Sequence, residues 1–283
     1  MAVARVASGH ITGQTFTAAN GVVDNTINIG TCDFLIVSVS WGQNNGHSMA
    51  AAPTWDQGGT NQAMTEFGAQ TTNGTTLRKH SYYRASPTNG SLVLRLDPTA
   101  GAVDTTEVII DWESFSGVDV GGTPFDGYNT STATDGSAPF TSNLTITSAT
   151  DDMVWVSHAT RASGGDPSAV TPTNYTERHE TLDGPLAVSS GDAAGAASVA
   201  TTATFTSAGF SLLMNAHGVN LNAASSGPAT GFVLTPESGT TNGSGVLNTT
   251  ATSDDALTAN GAVRLITATV NGTVAARLTH RPS

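Results

Sequence analysis

The chain has 283 residues, of which 11% are charged, against about 25% in an ordinary soluble domain. Twenty-two acidic and ten basic residues give a net charge of −12; Lys79 is the only lysine and Cys32 the only cysteine. One cysteine excludes an intrachain disulfide framework and cysteine-rich zinc or iron–sulfur modules, and the lack of a basic stripe speaks against nucleic acid or an anionic membrane surface as partner.

From the N-terminus, Met1 to Ala19 has no apolar core of signal-peptide length before Thr12 and Gln14 interrupt it. The longest apolar stretch, Phe34 to Val39, contains Ser38 and falls far short of the roughly 20 residues of a spanning helix. The expectation is a chain made in a cytoplasm and not anchored. Forty-five Thr, 27 Ser and 31 Gly dominate the composition. Period-two alternation and Gly/Asn/Asp clusters every 8–15 residues predict strands joined by tight turns. Asn-Gly recurs at Asn20, Asn45, Asn73, Asn89, Asn242, Asn260 and Asn271, and Asp-Gly at Asp126, Asp135 and Asp183; both pairs favour the positive backbone angles of hairpin turns. The one Ala-rich piece with helical composition, Asp192 to Ala203, is broken by Gly195 and alternates through Val199, Ala203 and Phe205, so it too reads as strand.

Thr26 to Val39 is a short alternating strand, a turn ending in Asp33, then a continuous apolar strand. Asn143 to Ser157 echoes it about 119 residues later, with Asp152 in the turn. Each copy continues to a Pro-Thr pair, Pro53-Thr54 and Pro172-Thr173, and then to a strand, Ala63 to Phe67 and Tyr175 to His179. A later pairing matches Ser91 to Leu96 with Gly209 to Asn215. Two similar sets of strands suit a sandwich, in which neither set buries its apolar face alone. The fold expected is all-β, a two-sheet antiparallel β-sandwich over 1–221 built from an internal pseudo-repeat (about 25–115 and 143–221). A linker follows at 222–229, then a small C-terminal β region at 230–283, whose clearest element is the hairpin Ala262 to Val270, Asn271-Gly272 and Thr273 to Thr279.

Residues able to carry chemistry are scattered. None of the seven histidines lies in a His-Glu-x-x-His or His-x-His arrangement, and no Gly-x-Ser-x-Gly elbow stands between strand and helix. The Gly-rich loop Thr241 to Gly245 precedes no helix whose N-terminus would meet a phosphate. Cys32, just before the turn and an apolar strand, is expected to be a buried, inert thiol. Asp111 and Glu113 flank Trp112 on one strand, so both carboxylates share a face. That is the one arrangement approaching a glycosidase pair, and its plainer reading is an outward polar face with Ile110, Trp112 and Phe115 turned to packing. Asp151, Asp152, Asp119 and Asp126 offer oxygen ligands for calcium without a specific motif; turn formation is the commoner reason for such Asp. Trp41 and Trp55 flank the loop Gly42 to Pro53 as a sugar platform or as an aromatic lid. No catalytic, cofactor-binding or metal-binding residue is assigned.

The echo, the segment Asp33-Phe-Leu-Ile-Val-Ser-Val39, the Tyr82-Tyr83 strand and the Phe115-Ser-Gly-Val-Asp119…Pro124 turn resemble the jelly-roll-type β-sandwich virion proteins of tailed bacteriophages over about 25–221. The resemblance implies a non-enzymatic virion structural protein: a capsid decoration protein, head fibre or tail-associated component. It would be assembled in the host bacterial cytoplasm as a homo-oligomer, in contact with other virion proteins such as major capsid or tail proteins. The alternatives are a carbohydrate-binding module for host surface glycans and a glycoside hydrolase using Asp111 and Glu113.

Overall fold

The computed structural model describes residues 2–224, apart from 20, 43–45, 75, 137 and 208–210, together with the strands 265–270 and 273–279. No helix occurs among the described residues. The chain divides into two compact units, Met1–Ser225 and Ser226–Ser283.

In the first half of the larger unit the strands are β1 (Ala4–Ile11), β2 (Val23–Asn28), β3 (Phe34–Trp41), β4 (Thr54–Trp55), β5 (Gln62–Ala63), β6 (Thr65–Glu66), β7 (Thr71–Asn73), β8 (Leu77–Ala85), β9 (Ser91–Leu96) and β10 (Val108–Ser116). They form one sheet of order β1-β10-β3-β8-β6, with β7 also on β8, and a second of order β2-β9-β4-β5. The second half has β11 (Phe125–Asp135), β12 (Phe140–Thr147), β13 (Met153–Ala162), β14 (Pro167–Thr173), β15 (Thr176–Asp183), β16 (Leu186–Ala194), β17 (Ser198–Ser207) and β18 (Leu212–Leu221). Its sheets run β11-β18-β13-β16-β15 and β12-β17-β14.

Eight strands of the first half therefore have counterparts in the second: β1, β2, β3, β4, β6, β8, β9 and β10 match β11 to β18 in order, while β5 and β7 have none. The all-β antiparallel sandwich expected from the sequence is what the chain adopts, and the two-sheet unit occurs twice. The echo at Thr26 and Asn143 marks β2–β3 and β12–β13. One later equivalence falls differently: β9, which runs beside β2, corresponds to β17 beside β12; β18, which takes in Leu212 to Asn215, is instead the counterpart of β10, and 209–210 lie outside the described residues. Thr/Ala-rich β17 and Leu-rich β9 share a position but little composition, so sequence pattern alone does not pair them. Asp192 to Ala203 spans the end of β16 and the start of β17. Gly195 makes the turn between them, where a Cβ would lie 2.1 Å from the Ala149 carbonyl.

Alternation decides the layering. On β3, Leu35, Val37, Val39 and Trp41 join Val23, Ile27, Leu94, Leu96 and Trp55 of the neighbouring outer sheet in one core. Phe34 and Ile36 point the other way and pack, with Phe115, against Trp155, Val219 and Leu221 of the second half. Leu77 and Ile109 likewise meet Ala159, Leu186 and Val188. The second half closes its own sandwich through Leu144, Ile146, Val154, Val156 and Val199. The result is four layers, with the six-strand sheet of the first half and the five-strand sheet of the second innermost and face to face. All eight residues of β3 are buried, because both of its faces are covered, and each large apolar side chain so buried is worth about 1.5–3 kcal/mol.

In the smaller unit, β19 (Leu265–Val270) pairs antiparallel with β20 (Thr273–Thr279). The rest of 230–283, including the loop at 241–245, the Asn271-Gly272 turn and His280, lies outside the described residues. The larger unit continues past residue 221: the Ala223 amide donates to Asp152 Oδ1 at 2.8 Å and the Asn222 amide to the Pro124 carbonyl at 3.0 Å.

Candidate functional site

The two innermost sheets do not meet through apolar side chains alone. Register places Ser38 opposite both Asp111 and Ser81, and Ser40 opposite Lys79, so these side chains share one face, as does Glu113 two residues beyond Asp111. On the facing sheet, register aligns Ser157 with Ser190 and His217, and Asp192 and Asn215 follow by alternation. All of these residues are buried, Lys79, Glu113, Asn215 and His217 at 0% exposure and Asp111 at 1%. A sealed polar layer thus runs between the two inner sheets of the larger unit.

Part of that layer is well paired. The Lys79 ammonium donates to Ser157 Oγ at 2.7 Å and Ser40 Oγ at 3.1 Å. Ser81 Oγ donates to Ser38 Oγ at 3.1 Å and lies 2.9 Å from His217 Nδ1, while Thr71 Oγ1 lies 2.7 Å from His217 Nε2. Arg178 holds Asp192 through two hydrogen bonds of 2.5 and 2.9 Å, and Arg5 reaches the same carboxylate at 3.5 Å. The rest is unpaired. Lys79 Nζ stands 3.9 Å from Asp111 Oδ1, yet both Asp111 oxygens, both Glu113 oxygens and the Asn215 amide make no hydrogen bond. Ser157 and Ser190 hydroxyls lie near enough to favour the Asp111 carboxylate without reaching hydrogen-bonding geometry.

Burial without partners penalises charge. It pushes the Asp111 carboxyl above the usual range, with Lys79 pulling back. Glu113 goes well above, through burial first and then the charges of Asp192 and Asp111. Lys79 falls to about 8 because burial outweighs the attraction of Asp111. Burial and then Lys79 hold His158 down to about 3 and His217 well below its ordinary value.

The sequence placed Asp111 and Glu113 on one face correctly, but that face is sealed between sheets instead of turned outward. Phe115 shares it, whereas Ile110 and Trp112 point into the outer core with Val108. Neither carboxylate is open to a glycan. Sequence reasoning missed Lys79, Ser157 and Asn215 as their companions; a lone lysine amid strand residues was the available signal.

Other candidates separate. Trp41 and Trp55 are fully buried in the first core, so neither is a sugar platform. Cys32 is buried, with its thiol pushed up to about 11 by burial. His10 and His179 meet at 3.3 Å between Nδ1 atoms, and His158 contacts Ser142 Oγ at 3.0 Å. Asp126 and Asp152 do converge, each accepting from Asn220 Nδ2 at 2.9 Å, beside a hollow of about 220 Å³. Asp119 and Asp151 are not among its lining residues. Among the described residues no group of three or more His, Cys, Asp or Glu is placed to hold a metal ion, and no helix is long and apolar enough to cross a membrane.

No protein-family model matches the chain, and no curated protein matches it in sequence.

Proposed function

We propose that the chain is a non-enzymatic structural protein of a bacteriophage virion, a surface or decoration component that contacts other virion proteins as a homo-oligomer. The observation that supports it best is the placement of the ionisable groups. The residues with perturbed acidity that would mark an active site are locked between two sheets, where they brace the scaffold. What reaches solvent on the outer sheet of the second half is an uncharged ladder. Thr141 faces Thr204, Asn143 faces Thr202, and Thr171 and Thr173 continue it on the other side. A stiff β stack with a flat polar face suits repeated contact in a symmetric shell.

The residues that carry the phage resemblance also act together. Phe34 stacks on Tyr83 with ring centroids 5.3 Å apart, and the Asp33 carboxylate accepts the Gly117 amide hydrogen at 2.7 Å. The start of the first apolar strand and the turn leading to the second half are thereby joined. Peptide mass spectrometry of gradient-purified particles produced by the encoding genome tests the proposal. The chain present at a fixed ratio to the major capsid protein is the expected result; particles without it overturn the reading. A glycan array on the purified chain distinguishes the host-glycan alternative, since an architectural protein leaves it blank.

A further inference from the structure

The only lysine of 283 residues lies where a lysine is least at home, wholly buried between two sheets beside a buried carboxyl. Surface lysine serves solubility, and this chain does without it. A buried amine and a buried acid that remain separate both stay poorly solvated, which penalises either charged form. Joined, they become one neutral amide. We propose that Lys79 and Asp111 condense into an intramolecular isopeptide bond between Nζ and Cγ, tying β8 to β10 across β3.

The geometry supports this in three ways. Lys79 Nζ is 3.9 Å from Asp111 Oδ1, an oxygen bonded to the Cγ that the amine would attack, so amine and carboxyl are direct neighbours in the sealed layer. The amine is held by hydroxyls alone, those of Ser40 and Ser157, which position it without competing for the carboxyl carbon. Glu113 lies two residues along the same face as Asp111, fully buried, with neither oxygen hydrogen-bonded. Burial also prepares the protonation states: with Lys79 brought to about 8, about a tenth of it is the free amine at neutral pH, and Asp111 is biased towards the uncharged acid.

In the step itself the Nζ lone pair attacks Cγ of the protonated Asp111 carboxyl. The Nζ–Cγ bond forms and the Cγ–OH bond breaks. The Glu113 carboxyl gives its proton to the departing hydroxyl, which leaves as water, and recovers one from the nitrogen. Amine plus acid become amide plus water, Glu113 ends as it began, and the balance needs no co-reactant. Expulsion of that water from a dry layer favours the product.

The test is the mass of the purified full-length chain, measured after denaturation, together with its tryptic map. The expected mass is lower than that of the sequence by one water. Trypsin is expected to leave the Lys79–His80 bond uncut, and fragment 79–84 to stay attached to fragment 96–161. Lys79→Arg and Asp111→Ala are expected to restore the full mass. Glu113→Gln, which keeps the shape but not the acid, is expected to leave most of the chain uncrosslinked while still folded by circular dichroism. A wild-type chain at its full sequence mass and cut at Lys79 overturns the proposal. So does a water loss mapping to an Asp-Gly pair such as Asp126-Gly127, or a Lys79 link to the fragment carrying Asn215, seen as lost ammonia.

Discussion

Arg161, on β13, grips Glu107, just ahead of β10, through two hydrogen bonds of 2.7 and 3.2 Å. The pair spans the two halves and is largely buried, with side-chain exposures of 16% and 8%. Gly42 lies over it so closely that a Cβ there would come within 2.8 Å of Arg161 Nε. Removing one partner of such a pair strands the other charge, at about 3–5 kcal/mol. Arg161→Ala is therefore expected to lose about 3 kcal/mol in urea denaturation, and replacing both residues with apolar ones to recover much of it. Equal losses in the single and double variants would show that packing, and not the stranded charge, sets the cost.

Acid sensitivity follows from His158. Its folded-state value lies near 3 because of burial, whereas the unfolded chain takes up the proton near 6.5. The folded value is the lower one, so the stability contribution is complete above pH 6.5 and drains away as the pH falls towards 3. His158→Gln is expected to flatten the dependence of unfolding free energy on pH between 6 and 4 by about one proton's worth, about 1.4 kcal/mol per pH unit. An unchanged slope contradicts the buried neutral imidazole.

Glu113 works in the opposite sense. Burial raises its folded-state value well above 4.5, so its contribution is whole below that unfolded value and declines as the pH climbs through the folded one. Glu113→Gln should remove that decline, visible in denaturant melts at successive pH values upward from 4.5. A variant whose stability still falls with the wild-type slope would place the proton elsewhere.

Cys32 offers a direct probe of closure. The residue is 5% exposed and its thiol is driven up to about 11 by burial, and only the thiolate reacts readily. In the native protein at pH 8 a thiol reagent is expected to leave it untouched, with one equivalent reacting on denaturation. Prompt native labelling would mean that the turn before β3 opens freely.

Trp155 tests the join between the sheets. It is fully buried among Phe34, Phe67 and Val219, and its truncation to Ala is expected to cost about 3–5 kcal/mol, read as a shift of the urea midpoint. A cost below 1 kcal/mol would indicate that the inner sheets are held by their polar layer alone.

Much of this architecture was legible because strand alternation and turn chemistry are local. The apolar runs at Phe34 and Met153 lie on central strands, and Asp183-Gly184 closes the β15–β16 hairpin with Gly184 at a φ of +57°. The candidate site was legible only in part. That Asp111 and Glu113 share a face follows from period two. What covers that face depends on which sheet packs over it, a long-range matter on which local pattern is silent. The serines at 38, 40 and 157 read as interruptions of apolar strands until their lysine partner is placed among them.

The inner sheets lie head to tail: β1 rests near β15, β10 near β16, and β8 near β18, so matching strands sit at opposite ends, as in a dimer with a two-fold axis. Anchoring the comparison on Asp33 and Asp152 sets Lys79 against Val188, and Asp111 against His217. Two separate identical polypeptides meeting this way would bring a second copy of the lysine and of both acids into the same enclosed space. Carrying both copies in one polypeptide lets the cation and its acids appear once, and frees the opposite wall to be built from valine and histidine.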